Sequence, residues 1–141
     1  MREASAAAIL LAAGRSSRFG GPKLLAGLAG RPLLDHAAEL VGALSRDGTL
    51  ACAVAVVGPD SPAVNDILCG HGIEPVQNPD PAEGLASSLR AGITELQKRK
   101  PVPDAVLIFL ADQPKVQADT VHTILSAWRT GAKPVVRPRY S

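Results

Sequence analysis

Leu11-Ala-Ala-Gly-Arg-Ser-Ser-Arg-Phe-Gly-Gly-Pro-Lys23 decides how the rest of this chain is read. It follows an uncharged run, Ala6 to Ala13, of the length and character of a strand buried on both faces. Between Gly14 and Lys23 come three glycines, two serines and three cations. Gly14, Gly20 and Gly21 allow close backbone approach to a ligand. Ser16 and Ser17 add hydroxyls, and Arg15, Arg18 and Lys23 add charge suited to phosphate oxygens. A buried strand entering a glycine-rich cationic loop is a phosphate-binding design. The plain alternative is a basic, solvated surface loop. A Walker-type loop is excluded because Phe19 and Gly20 stand where Gly-Lys would be needed. A dinucleotide fingerprint is excluded by Ser16 and Phe19.

Working outward, Arg31 to His36 begins a helix with Pro32 suited to its first turn; Leu33, Leu34, Ala37, Leu40, Val41 and Leu44 recur at helical spacing, and Gly48 ends the segment. Leu50 to Val57 reads as a second buried strand. A helix capped by Asp60 or Ser61 follows to about Gly70, and Ile73 to Gln77 is a short third strand. Asn78-Pro-Asp-Pro-Ala-Glu-Gly84 turns into a helix starting near Ser87. Ala105 to Ala111 is a further apolar strand with Asp112 at its carboxyl end, and Asp119 to Trp128 is an amphipathic helix. Lys133 to Ser141 begins another strand. The strand–helix rhythm predicts a Rossmann-like, three-layer α/β/α fold with a mostly parallel sheet, residues 1–141 forming one nucleotide-binding domain.

In such sheets ligands bind beyond the carboxyl ends of the strands. Asn78 offers donor and acceptor, and Ser87 and Ser88 offer hydroxyls and helix-start N–H groups, although turn and capping chemistry alone also accounts for them. Asp112 is placed to hold magnesium bridging phosphates, or else to stabilise the turn before Pro114.

Composition narrows the classes. The net charge of +2 and 3% aromatic content give no support for nucleic-acid or membrane-surface binding. No run approaches the ~20 apolar residues that span a bilayer. Glu3 and the motif after Ala13 argue against a secretory leader, which gives a cytoplasmic expectation. Cys52 and Cys69 read as reduced packing thiols, and His36, His71 and His122 as residues without a ligand cluster.

Leu-Ala-Ala-Gly with Ser-x-Arg-Phe-Gly and Lys23, the Asn78-Pro…Gly84-Leu-x-x-Ser88-Leu…Gly92 element and Leu110-Ala-Asp-Gln-Pro114 together resemble the MobA-like nucleotidyltransferases. Within that family the wording is most similar to the molybdenum cofactor cytidylyltransferases, which typically carry alanine at the position of Ala13. The resemblance implies a fold of the nucleotide-diphospho-sugar transferase type. It implies magnesium-dependent transfer of CMP from CTP to molybdopterin, and a molybdoenzyme or its chaperone as partner. Arg18, Lys23 and Asp112 would be catalytic, with Asp112 the metal ligand. Leu11, Ala12, Ala13, Gly14, Arg15, Ser16, Asn78, Gly84, Ser87 and Ser88 would bind the nucleotide. GMP transfer from GTP, another phosphorylated acceptor such as a sugar or polyol phosphate, or a non-catalytic nucleotide-binding module are the alternatives. Family members typically continue beyond the position of Ser141, so a C-terminally truncated chain, lacking part of the acceptor site, is expected.

Overall fold

The structure is a computed structural model, and it describes residues 4–13, 27–28, 30–58, 62–78, 84–113 and 115–131. Its elements in chain order are β1 (Ala6–Ala12), β2 (Gly27–Leu28), β3 (Arg31–Pro32), α1 (Leu33–Arg46), β4 (Ala53–Val57), α2 (Pro62–Gly70), β5 (Glu74–Gln77), α3 (Leu85–Leu96), β6 (Ala105–Leu110) and α4 (Ala118–Thr130). Four strands form one parallel sheet in the order β5-β4-β1-β6. The central strands β1 and β4 are buried almost throughout, which is why their sequences run as unbroken apolar stretches. The outer strands differ. Pro75 sits in β5, at an edge of the described sheet where a missing N–H is tolerated.

Alternation along β1 separates two cores. Ala6, Ala8, Leu10 and Ala12 face a cluster that includes Leu34, Val41 and Leu44 of α1, Val64 and Leu68 of α2, and Val121 and Leu125 of α4. Ala7 and Ile9 face Leu89 and Leu96 of α3. Helices therefore cover both faces, giving the expected three-layer α/β/α arrangement. Each fully buried Leu or Val on α1 contributes about 1.5–3 kcal/mol of transfer free energy, so packing rather than helix propensity sets this layer. On the α3 side, β6 presents Val106, Ile108 and Leu110 to solvent, Ile108 with 51% of its surface exposed.

Several boundaries differ from the sequence expectation. Pro32 has extended ψ of 146° and precedes α1, because Arg31–Pro32 belongs to a two-residue antiparallel ribbon with Gly27–Leu28. Gly30 turns that ribbon at φ 79°, a conformation that favours glycine. Leu50 is fully buried, but it precedes the regular strand, its N–H donating to Leu44 O. α3 begins at Leu85, two residues before Ser87, because Gly84 at φ 93° makes the break. The expected caps Asp60 and Ser61, and the expected strand from Lys133, lie outside the described residues.

The thiols and imidazoles also need correction. Cys52 is half-buried, whereas Cys69 is exposed and is not a packing residue; both are free. His71 joins no metal-ligand cluster among the described residues, but it is paired. Its Nε2 lies 2.6 Å from Asp35 Oδ1, and Arg31 bridges Asp35 Oδ2 and Glu39 Oε2 at 2.7 Å each. The His71 hydrogen bond above all, then Arg31, holds the Asp35 carboxyl below its ordinary range against an opposing pull from burial. A depressed carboxyl stabilises the fold above its ordinary pKa of about 4, and that contribution is lost as pH falls through the folded value. The stability gap between wild type and Asp35→Asn is therefore expected to be full near neutrality and to close below about pH 4, read by thermal melts across pH. A gap independent of pH would contradict the pairing.

Gly42 brings α1 against the turn after α2. A Cβ at this position would lie 2.6 Å from the His71 carbonyl oxygen, a backbone atom that cannot rotate away. Gly42→Ala is expected to lower stability by a net ~1–3 kcal/mol, despite a gain of about 1 kcal/mol in helix propensity. Urea denaturation reads the difference directly. At Gly92 the three atoms nearest such a methyl all belong to the Ile9 side chain, from 2.9 Å, and not to backbone, so Gly92→Ala should cost less.

Candidate nucleotide-binding site

Because all four strands are parallel, their carboxyl ends lie along one edge of the sheet. In spatial order the described residues there are Asn78, Gly58, Ala13 and Asp112, after β5, β4, β1 and β6 respectively. The chain leaves β1 toward β4 on one side and places β6 on the other. This is the reversal of strand order at which open α/β sheets form a ligand crevice.

Asp112 stands on the β6 side of that reversal. Ala111 N donates to Leu11 O at 3.1 Å, carrying the β1–β6 ladder one step beyond Leu110. Asp112 thus emerges, exposed, beside Ala12 and Ala13, from which the glycine-rich stretch departs. Leu11 and Ala13 are partly buried against the α3-side core, and Ala12 is buried on the opposite face, so the three residues offer the site backbone rather than side chains. Gly14, Arg15, Ser16, Arg18 and Lys23 lie outside the described residues.

At the other end of the edge, Asn78 is 2% exposed and held to β4 through its N–H to Val57 O at 2.9 Å. Its Nδ2 donates to Ser87 Oγ and to Ser88 Oγ, both at 2.9 Å, and Ser87 Oγ donates to Gly84 O at 2.9 Å. Both amide hydrogens of Asn78 are therefore directed at the first turn of α3, not outward toward a base. The residue ties the end of β5 to the start of α3. That start is capped by Gly84 with no side-chain hydrogen bond, and a helix N-terminus at the carboxyl edge favours anionic groups.

Three strand spacings separate the Asn78 and Asp112 ends, about 14 Å at ~4.8 Å per strand. One phosphate cannot touch both. The edge suits an elongated ligand lying across the strand ends. Among the described residues no three His, Cys, Asp or Glu side chains cluster to hold a metal ion. A lone carboxylate does not fit zinc, which takes three or four protein ligands. It does fit magnesium, whose octahedron is largely completed by water and phosphate oxygens. No helix among the described residues is long and apolar enough to cross a membrane.

Residues 8–141 match the MobA-like NTP transferase domain. The chain belongs to that family. Its relatives include the 2-C-methyl-D-erythritol 4-phosphate cytidylyltransferase of Streptomyces avermitilis, 36% identical over 94% of this chain and 53% of that enzyme. The bifunctional protein GlmU of Maricaulis maris is 35% identical over 94% of this chain and 28% of its own length. The chain thus spans about half, or less, of the curated relatives it matches. Among solved structures, Rv0371c of Mycobacterium tuberculosis superposes with a TM-score of 0.72 at 28% identity, covering 92% of this chain and 63% of that one. A complex of the same mycobacterial protein with manganese matches at 25% identity, over 89% of this chain and 60% of that one, with a TM-score of 0.66.

In this MobA-like domain the sequence made the strands β1 and β6 legible. It did not disclose the β2–β3 ribbon or the pairing of His71 with Asp35. The Arg31–Asp35 spacing of four on a helix start was a readable signal for half of that cluster. His71, 36 residues further on, gave none.

Proposed function

We propose that this protein transfers CMP from CTP to a phosphorylated acceptor and releases pyrophosphate. The observation carrying the reading is the adjacency of β1 and β6. Their carboxyl ends bring Ala13, where the glycine-rich stretch begins, and Asp112 to neighbouring points on one edge of the sheet. The similarity to a cytidylyltransferase at 36% identity supports CTP as the donor.

In the proposed reaction an acceptor phosphate oxygen attacks the α-phosphorus of CTP. A new P–O bond forms as the bond to the pyrophosphate oxygen breaks, and the electron pair leaves with pyrophosphate. The acceptor is already an anion, so no general base is required. Catalysis rests on in-line alignment and on neutralising the charge that builds on the α-phosphate and leaving group. The backbone of Leu11 to Ser16 would cradle the nucleotide, with Arg18 on the triphosphate and Lys23 on the transferring or acceptor phosphate. Gly84, Ser87 and Ser88 would present the α3 N-terminus to an anionic group, held in place by Asn78. Asp112 would hold magnesium, which when bound supplies charge neutralisation across the phosphates. The manganese complex of the mycobacterial protein supports a divalent ion as a ligand of a protein of this fold.

For the acceptor, the named Streptomyces relative favours a polyol phosphate such as 2-C-methyl-D-erythritol 4-phosphate. Molybdopterin, with a molybdoenzyme or chaperone as further partner, is the second reading and rests on the alanine at position 13 in the first motif. A cytoplasmic location accompanies either. Pyrophosphate release from CTP or GTP, measured with each acceptor in turn, tests the proposal. Release with CTP and a polyol phosphate is expected. Release only with GTP would overturn the donor, and release only with molybdopterin would favour the second reading. CTP binding without release under every acceptor would favour a nucleotide-binding module.

A further inference from the structure

The large hydrophobic side chains that stand exposed among the described residues all fall on one layer of the fold. They are Leu85 and Ile93 of α3, Val106, Ile108 and Leu110 of β6, and Val102 in the segment between them, each between 36% and 64% exposed. Val106, Ile108 and Leu110 are in register with Ala7, Ile9 and Leu11 of β1, so they stand on the face of the sheet that α3 covers. α3 itself packs on β4, β1 and β5, and β6 lies beyond it at the end of the described sheet. A helix ~10 Å across covers about two strands spaced ~4.8 Å apart. This face carries one described helix for four strands, so the place over β6 is open.

The same chain carries a surface that fits this place. Ser87 reaches Asn78 at the end of β5, which turns that flank of α3 toward β5. Leu85, Leu89 and Ile93 form a row at four-residue spacing on the other flank. That row rises ~12 Å, and Val106 to Leu110 spans ~13 Å, so the helix row and the strand face match in length. Among the described helices only α3 exposes a large hydrophobic side chain. The net charge of +2 supplies no field to draw a membrane or a nucleic acid to this face. A standard interface takes about 800 Å² from each partner, roughly 56–65% of it apolar. Six half-exposed aliphatic side chains can form the apolar core of such an interface, but they are too few for an obligate one. We infer that two copies of this chain associate through this layer, the Leu85–Ile93 row of each lying on the β6 face of the other. The inference does not depend on which nucleotide or acceptor the protein uses.

Sedimentation equilibrium across a concentration series tests it. Wild type is expected to pass from monomer to dimer with a midpoint at about 10–100 μM, the weak end for an interface of this size. Ile93→Lys and Ile108→Glu should each raise that midpoint roughly tenfold or more. Ser126→Glu, exposed on α4 in the opposite layer, should leave it unchanged. Mixing Ile93→Lys with Ile108→Glu should restore association, because one contact then joins opposite charges and the other keeps both native residues. Melting curves show whether each variant is folded. If Ile108→Glu is not, Ile93→Lys on the helix surface decides alone. Wild type that stays monomeric to about 300 μM would overturn the inference and leave this face to a different occupant. Association that survives the substitutions unchanged would also overturn it.

Discussion

Asp112→Ala is expected to lower kcat/KM for pyrophosphate release by about 10²–10³-fold, the scale on which removing one preorganised charge-stabilising group acts. Asp112 is exposed and ends a strand whose ladder is made by backbone atoms, Ala111 N to Leu11 O among them. Melting curves of the variant, taken beside the kinetics, separate a lost catalytic charge from a lost structural contact. Asp112→Asn keeps the size and removes the charge, so it should fall nearly as far. The loss should concentrate in kcat if the carboxylate acts on the transferring phosphates, and in KM if it only assists binding. Steady-state kinetics of both variants separate these cases. Unchanged kcat/KM would remove Asp112 from the site.

The second large effect is structural. Asn78→Ala removes an amide that is 2% exposed and donates to Ser87 and Ser88 together. Ser88 is 4% exposed, so its hydroxyl would lose this partner in a place water scarcely reaches. The expected cost is about 2–3 kcal/mol by urea denaturation, from lost hydrogen bonds and the cavity left behind. Asn78→Asp should be at least as damaging, because a carboxylate cannot supply the two N–H donors and brings charge into a buried position. A cost below ~0.5 kcal/mol for either would mean that the start of α3 is held by something else.

These residues also mark what a sequence can disclose. The strands β1 and β4 were readable because both of their faces are covered, leaving an apolar run with no competing interpretation. The strand before Asp112 was readable from its unbroken apolar sequence, although one of its faces is open to solvent. Asn78 stands out in the sequence at the end of a strand, yet its amide turns inward to Ser87 and Ser88, a contact across nine and ten residues that no local pattern specifies. The ribbon at Gly27–Pro32 escaped because two-residue strands carry no periodicity. The His71–Asp35 pair escaped because it depends on how α1 and the α2–β5 turn dock. Local chemistry was legible, and tertiary pairing was not.

Calorimetric titration of the protein with CTP and with GTP, each with and without magnesium, tests the central claim most directly. Magnesium-dependent binding that prefers CTP is the predicted result. Binding of neither nucleotide under any of the four conditions would contradict a nucleotide site at the carboxyl edge of this sheet.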